Sequence, residues 1–382
     1  MKRIKYIITA FAVSLLVFSC EKQQTPESGQ TNWPIFLGYM QFSTNVATKA
    51  ALATDMHDKS FGVIGYQYAT TTNWETAKAL AKPTTFYNQE VKCAGNGVCS
   101  YDINESETGD QLKSWEEYLY TFFAYQPYNG AGISLSGSDV VNTPILTYTY
   151  GWLNEGIAPT TIINAYDNSN IFDLMTAEAI DVNGSGSGAV DLEFKHRLFA
   201  VEVIANNFNE NTENTTDARQ VINNLKLAIS GLKNIKMTIP ISMIGEADPT
   251  YNEGEMNKVT FQISNKEVII PAFNETITDD ATGETRGAGV GSSISRLGSD
   301  KGGYLMFIPQ KKGLTFEFDW DELAAIKENN QSSQLQTSFN SDMEFKAGLL
   351  YQIIINFVGD GITIAIIEAG SWDQHSVYHT FE

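Results

Sequence analysis

Short apolar or alternating segments that end at Gly, Pro, Asn or Asp recur along the whole chain, and this pattern restricts the fold more than any other feature. Such segments are typical of β-strands, whereas few stretches show the spacing of an amphipathic helix. There are two short exceptions. Ser114-Trp-Glu-Glu-Tyr118 is interpreted as a single helical turn, and residues 320–329 as a short surface helix in a connection. The sequence therefore predicts an all-β fold. The predicted strands cover residues 35–42, 61–68, 85–102 (as a hairpin), 118–125, 145–150, 171–179, 190–205, 225–232, 258–264, 267–273, 303–309, 314–320, 345–358 and 362–368.

A polar segment, Asn183-Gly-Ser-Gly-Ser-Gly188, interrupts the strand pattern near the middle of the chain. It has no apolar side chain to bury, so we interpret it as a domain junction or as the tip of a loose hairpin. Roughly six or seven strands are predicted on each side, which suits a β-sandwich. We therefore predict two tandem β-sandwich domains, at residues 33–183 and 189–382. A second polar segment, residues 275–301, predicts a long loop.

The composition excludes two broad classes of protein. Hydrophobic residues make up 42% of the chain and charged residues 18%, which argues against a disordered protein. Lys and Arg total 25 against 45 Asp and Glu, so the net charge is −20. A surface this acidic repels phosphate backbones, so we expect no nucleic acid partner.

The first residues have the features of an export signal. Lys2, Arg3 and Lys5 precede an apolar stretch at residues 7–18, which is too short to span a bilayer. Ser19 and Cys20 follow this stretch, and the whole segment resembles a bacterial lipoprotein signal. By that resemblance, residues 1–19 are removed, Cys20 carries the lipid, and residues 20–32 form a flexible tether. A plain secretory signal with an incidental cysteine is the alternative.

The two remaining cysteines flank a turn signal. Cys93 and Cys99 enclose Asn96-Gly97, which favours a tight hairpin and places the cysteines on facing strands. We predict a disulfide between them, with two free thiols as the alternative. The closed loop is short, so its entropic contribution is modest.

No motif predicts catalysis, a metal site or a cofactor. His196 lies on the apolar face of a predicted strand, where a core histidine is more common than a catalyst. His375 and His379 have the spacing of metal ligands only on a helix, and their neighbours do not favour one. The sequence also lacks a Gly-x-Ser-x-Gly nucleophile elbow and a His-Glu-x-x-His zinc motif. We expect no catalytic residues, no metal and no cofactor.

Several stretches, in order, resemble the fimbrillin family of fimbrial subunit lipoproteins. Their order and spacing carry the resemblance, because each motif alone is mostly strand alternation. The stretches are Thr48-Lys-Ala50, Tyr120-Thr-Phe-Phe-Ala-Tyr-Gln-Pro127, Asp173-Leu-Met-Thr-Ala177, Val190-Asp-Leu-Glu-Phe-Lys-His-Arg-Leu-Phe-Ala200, Ala347-Gly-Leu-Leu-Tyr351, Ile362-Thr-Ile-Ala365 and Ser371-Trp372.

The resemblance implies two tandem transthyretin-like Greek-key sandwiches in a precursor that is anchored at the outer membrane. A protease then removes the first strand, and a strand from the next subunit fills the groove, because an open sheet edge is a template for strand addition. By resemblance, the cut falls between Lys49 and Ala50. The implied plug side chains are Ile35, Leu37, Tyr39 and Phe42. The implied donor side chains of the tail are Val377, Tyr378 and Phe381.

The implied partners are other fimbrial subunits, the outer membrane through the lipid, and a host or bacterial surface receptor. The family is cut after Arg, but Lys49 stands at this position and no Arg occurs between Arg3 and Arg197. Either a Lys-tolerant protease cuts here, or the subunit stays uncut as an anchor, so tip, stalk and anchor roles remain open.

Two other functions compete with the fimbrial one. A glycan-binding surface lipoprotein is the alternative, and its candidate sugar-stacking side chains are Trp74, Trp115, Trp152, Tyr148 and Tyr150. The third candidate is an enzyme of the glycoside hydrolase class, whose carboxylate pair the sequence does not identify.

Overall fold

Nearly all regular structure in the protein is β-strand, which confirms the predicted all-β class. In the described residues, helix is confined to α1 (Trp74–Ala77) and a 3-10 turn (Ile241–Met243). None of the helices in this part of the chain is long and apolar enough to cross a membrane. The computed structural model describes residues 33–34, 59–93, 99–101, 114–139, 143–150, 162–164, 173–184, 190, 192–208, 220–245, 248–256, 258–263, 268–270, 276–278, 285–287, 292–297, 304–311, 313–322, 334–358 and 361–371.

The strands are numbered in chain order over these residues. Those before the polar segment at residues 183–188 are β1 (Trp33–Pro34), β2 (Ser60–Tyr68), β3 (Phe86–Cys93), β4 (Cys99–Ser100), β5 (Ser114–Trp115), β6 (Leu119–Gln126), β7 (Ile133–Ser136), β8 (Ile145–Thr149), β9 (Ile162–Asn164) and β10 (Met175–Asn183).

Those after it are β11 (Lys195–His196), β12 (Phe199–Phe208), β13 (Gln220–Ser230), β14 (Leu232–Pro240), β15 (Thr250–Met256), β16 (Val259–Gln262), β17 (Val268–Ile270), β18 (Thr276–Thr278), β19 (Thr285–Gly287), β20 (Ser292–Leu297), β21 (Tyr304–Phe307), β22 (Leu314–Glu322), β23 (Gln334–Ser341), β24 (Leu349–Val358) and β25 (Gly361–Ser371).

One sheet, built mainly from the first part of the chain, is buried on both faces. Its strands run antiparallel in the order β11-β10-β6-β2-β3-β4. On the central strand β2, Phe61 and Val63 enter one hydrophobic core, while Ile64 and Tyr66 enter another. This double burial explains why β2 and β6 are continuous apolar runs rather than alternating ones.

Both cores receive side chains from the chain before and after the polar segment. The larger one, called the main core, joins strands from both parts of the chain, including Tyr66, Phe123, Phe199 and Phe316. The other, called the smaller core, lies on the opposite face of the β2–β6 sheet. The smaller core consists of Phe61, Val63, Phe86, Val91, Cys93, Trp115, Tyr120, Phe122, Ala124, Met175, Ala177, Val190, Leu192 and Phe194.

Two further sheets contain strands from both sides of the polar segment. The hairpin of β7 and β8 pairs with β14, giving the order β15-β14-β8-β7. In the next sheet, β23-β22-β13-β16-β9, strand β9 runs parallel to β16, and β17 also pairs with β13. Hydrogen bonding thus crosses the junction between residues 33–183 and 189–382. Those domain limits, and the tandem arrangement of two transthyretin-like sandwiches, stay predictions.

The last large sheet is formed by chain beyond the polar segment. Its order is β20-β12-β24-β25, with β21 also on β12, and β12 runs parallel to β24. Strands β18 and β19 form a separate ribbon. The interpretation of residues 275–301 as a loop is therefore wrong, because three strands lie within it. Strand β20 is mostly polar and pairs along its length with β12. The helix predicted over residues 320–329 is wrong at residues 320–322, which belong to β22, and its remaining residues lie outside the described ones.

Candidate functional site

Most of the residues predicted to act in assembly lie outside the described residues, so their roles stay predictions. These residues are Cys20, Ile35, Leu37, Tyr39, Phe42, Lys49, Ala50, Val377, Tyr378 and Phe381. The described residues closest in sequence to the predicted plug are those of β1, which pairs with β5.

Strand β1 holds the chain in place immediately before the predicted plug. It pairs antiparallel with β5, with Trp33 opposite Trp115 and Pro34 opposite Ser114. The helical turn predicted at Ser114–Tyr118 is therefore wrong, since β5 is extended here. Local sequence favoured a turn, but pairing with β1 and burial of the Trp115 side chain determine the backbone.

Below β5 lies an aromatic cluster of the smaller core. Trp115 is 1% exposed, and its ring meets Tyr120 edge-on at 5.0 Å and Phe122 at 6.1 Å between centroids. The hydroxyl of Tyr120 accepts a hydrogen bond from the backbone N–H of Glu116 at 3.1 Å. Burial raises the pKa of Tyr120, so the hydroxyl remains neutral at physiological pH. The side chains of this cluster carry no charge and pack beneath β5.

An extended segment closes another part of the smaller core. Val190, Leu192 and Phe194 are all buried, and the ring of Phe194 meets Phe61 edge-on at 5.5 Å. Of the single strand predicted over residues 190–205, the structure has β11 from Lys195, an interruption at residues 197–198, and then β12. The interruption marks where the chain passes from the smaller core to the main core.

The cysteine pair lies at one side of the same sheet. Cys93 on β3 and Cys99 on β4 face each other in register, and they form a disulfide with an S–S distance of 2.13 Å. Cys93 is buried in the smaller core. The disulfide therefore ties β4 to the sheet that carries this core.

Two buried polar atoms in this region have no hydrogen-bond partner. One is the indole Nε1 of Trp115, and the other is the side-chain oxygen of Gln126, which ends β6. Gln126 follows Ala124 on the face of β6 that carries the smaller core. Buried polar groups are usually paired, so these two atoms mark unmet hydrogen-bonding capacity.

His196 is a core residue, as its strand face predicts. Its Nδ1 lies 2.5 Å from the carboxylate of Asp173, and both side chains are at most 7% exposed. The pair joins β11 to the residues just before β10. Among the described residues, no group of three or more His, Cys, Asp and Glu side chains is placed to hold a metal ion.

Arg197 joins the double-buried sheet to the turn after β14. Its guanidinium donates to Thr176 Oγ1 on β10 and to the carbonyl oxygen of Ile244, each at 2.6 Å. Burial lowers the pKa of Arg197, and the nearby Glu178 opposes that shift. The two bonds hold Arg197 in place at the point where the chain passes from the smaller core to the main core.

The aromatic side chains proposed to stack on sugars are buried instead. Trp74, Trp115, Tyr148 and Tyr150 are at most 3% exposed and belong to the two cores. Trp152 lies outside the described residues. These four side chains are inaccessible to a sugar ring, so the glycan-binding alternative loses their support.

Sequence reasoning missed the roles of Trp115, Gln126 and Asp173. The signal for Trp115 is a lone tryptophan in a polar stretch, between Ser114 and two glutamates. Such a side chain needs burial, and a partner strand provides it. Gln126 and Asp173 carry no comparable local signal.

Comparisons with known proteins place the chain in a family. The model of a family described as fimbrillin-like matches residues 48–372. A fimbrial protein from Bacteroides vulgatus has a similar fold, with 18% identity, a TM-score of 0.52, and coverage of 89% of this chain and 99% of that one. A protein assigned to cell adhesion from Bacteroides ovatus shows 17% identity and a TM-score of 0.48, covering 90% of this chain and 99% of its own. No curated protein matches the chain. Since the family model covers most of its length, the chain belongs to the fimbrillin-like family.

Proposed function

We propose that the protein is a structural or adhesive subunit of cell-surface fimbriae that assembles by strand exchange after loss of its first strand. Family membership and the fold of the fimbrial protein from Bacteroides vulgatus support the fimbrial role. The observation that carries the exchange is the pairing of β1 with β5 above the smaller core. A structural subunit of this kind needs no catalytic residues.

Cleavage between Lys49 and Ala50 separates β1 from the rest of the chain. The predicted plug, with Ile35, Leu37, Tyr39 and Phe42, leaves with it. Strand β5 then loses its β1 partner, and its backbone groups become available. Unpaired N–H and C=O groups beside an apolar core favour the addition of a new strand.

The incoming strand comes from the tail of another subunit. Strand β25 ends at Ser371, and residues 372–382 follow it. The apolar side chains of this tail are Val377, Tyr378 and Phe381. Backbone hydrogen bonds supply affinity in this mode, and alternate side chains supply selectivity.

Anchoring and partners follow from the export signal. Residues 1–19 are removed, Cys20 is lipidated at the outer membrane, and residues 20–32 act as a tether. If Lys49 stays uncut, the subunit remains attached to the cell as an anchor. Other fimbrial subunits are the partners, together with a host or bacterial surface receptor for an adhesive tip. The proposal includes two transthyretin-like sandwiches, at residues 33–183 and 189–382.

The test follows the N-terminus and the polymer together. The full chain is expressed with its signal, and shed protein is sequenced from its N-terminus. Ala50 is the expected first residue after a Lys-tolerant protease acts, and Cys20 marks the retained anchor. The same protein should form a ladder of oligomers on gels run without boiling.

Lys49→Ala should abolish both the new N-terminus and the ladder. Lys59→Ala is the matched control, because Lys59 is an exposed lysine just before β2 and lies outside the removed segment. A ladder that persists in Lys49→Ala, or one that is lost equally in Lys59→Ala, contradicts assembly through this cut.

A further inference from the structure

The indole N–H of Trp115, on the strand that pairs with β1, is a donor that backbone pairing leaves unused. The side chain is 1% exposed, and its Nε1 has no hydrogen-bond partner. The ring packs against Tyr120 and Phe122, which are both apolar neighbours at this contact. A buried donor without an acceptor destabilises the structure, and Phe would fill apolar space without that penalty. The unused donor points to an acceptor that arrives with the incoming strand.

We propose that Trp115 determines which strand the groove accepts, by donating a hydrogen bond from its indole N–H to the imidazole of His379 in a second copy of this chain. The inference rests on the proposed strand exchange and names the side chain that the groove recognises. Val377 and Phe381 supply apolar contact, and His379 between them supplies the acceptor.

The alternation of the tail supports His379. In an extended segment, Val377, His379 and Phe381 share one face, whereas Tyr378 lies on the other. An apolar core takes the face that carries Val377 and Phe381, so His379 faces the same core. Neutral imidazole has one acceptor nitrogen, and the side chains of Val377 and Phe381 have none.

The uncharged side chains of the smaller core suit a neutral ligand such as the imidazole of His379. The residues of the smaller core carry no ionised side chain, and the neutral hydroxyl of Tyr120 is already paired with the N–H of Glu116. The indole N–H is thus a buried donor on β5 without a partner, and it is available to a side chain of the incoming strand. A strand with only apolar inward side chains leaves that donor unpaired.

The test measures binding of fluorescent peptides that span residues 371–382 to the protease-treated full chain. Peptides carry the natural sequence, His379→Leu or His379→Gln. We expect His379→Leu to bind roughly five- to tenfold more weakly, the effect of one lost neutral hydrogen bond. His379→Gln should bind like the natural peptide, since its amide oxygen also accepts a hydrogen bond.

The same peptides are then bound to Trp115→Phe, which keeps an aromatic ring and removes the donor. The natural and His379→Leu peptides should now bind equally, because the two changes remove one interaction. Trp74→Phe is the matched control: Trp74 is 1% exposed and its Nε1 is also unpaired, but it lies in the main core. This control should keep the preference for His379.

Each outcome separates the two proposals. Equal binding of the natural and His379→Leu peptides to the natural chain overturns the role of Trp115, even if ladders form. A preference that survives in Trp115→Phe overturns it as well. Absence of both ladders and peptide binding in the natural chain instead overturns strand exchange itself. If Trp115→Phe does not fold, the affinities of the His379→Leu and His379→Gln peptides for the natural chain still decide whether binding depends on a hydrogen-bond acceptor at position 379.

Discussion

Gln310 supplies the most demanding test of how the main core is held together. Its side chain is 3% exposed and makes hydrogen bonds at both ends. The oxygen accepts from the backbone N–H groups of Lys233 and Asn234, at 3.0 and 3.1 Å. The nitrogen donates to the carbonyl oxygens of Asn234 and Ile308, at 2.8 and 3.1 Å. One amide thus pairs four backbone groups of β14 and of the segment after β21.

Replacing Gln310 with Met keeps the volume and removes all four bonds. The carbonyl of Asn234 retains a partner, because the hydroxyl of Tyr150 donates to it at 3.4 Å. Two N–H groups and the carbonyl of Ile308 lose these bonds. The N–H of Asn234 and the carbonyl of Ile308 are buried and cost about 1–3 kcal/mol each when unsatisfied, whereas the N–H of Lys233 is only part-buried. We therefore expect a loss of about 2–6 kcal/mol in the free energy of unfolding. A loss of that size is a large fraction of the stability of a typical domain.

Chemical unfolding in guanidinium, followed by circular dichroism and tryptophan fluorescence, measures this loss. Gln67→Met is the matched control, because the Gln67 amide makes a 3.4 Å hydrogen bond to Glu116 at the surface. The control should change the free energy of unfolding by less than about 0.5 kcal/mol. If Gln310→Met lies within about 1 kcal/mol of Gln67→Met, the amide does not hold these strands and the reasoning is refuted.

The remaining predictions concern packing, ionisation and the disulfide. In Gly62→Ala, the new Cβ would lie 2.7 Å from Cζ of the buried Tyr125 ring. We expect the free energy of unfolding to fall by about 1–3 kcal/mol. An unchanged midpoint of chemical unfolding contradicts this packing. Burial raises the pKa of Tyr125 and Tyr150 above the ordinary value. The neutral hydroxyls therefore contribute fully to the free energy of unfolding below about pH 10, and this contribution is lost as the pH rises further. Tyrosinate absorbance should therefore appear together with unfolding, and ionisation well before unfolding contradicts the burial. Cys93→Ser with Cys99→Ser should lower stability by roughly 2 kcal/mol, as expected for so short a loop, and a loss above about 5 kcal/mol contradicts a local role.

The sequence predicted strands best where both faces of a sheet are buried. The run predicted at residues 61–68 is β2 (Ser60–Tyr68), and that at 118–125 is β6 (Leu119–Gln126). Strands β22, β24 and β25 were also predicted, because their apolar residues stand out from the chain around them. In these strands the side chains alone carry the information, so no knowledge of the partner was needed.

Strands that depend on their partners were missed. Strand β7 (Ile133–Ser136) is short and half exposed, and β8 joins it to β14 across the polar segment. Strand β5 carries one apolar residue, Trp115, whose burial depends on the smaller core. Their backbone conformation depends on tertiary pairing, to which local propensity contributes little. The pairing of β8 with β14 across the polar segment was therefore not predicted.

The two-sided burial of one sheet bears directly on strand exchange. On β2 and β6, Tyr66 and Phe123 pack into the main core while Val63 and Phe122 face the smaller core. Loss of the leading segment affects the smaller core, whereas the main core keeps its contacts from both parts of the chain. Hydrophobic stabilisation scales with the apolar area removed from water, so the undisturbed face continues to hold β2 and β6 together. We therefore expect a subunit that loses its leading segment, as proposed above, to stay folded until the next strand binds.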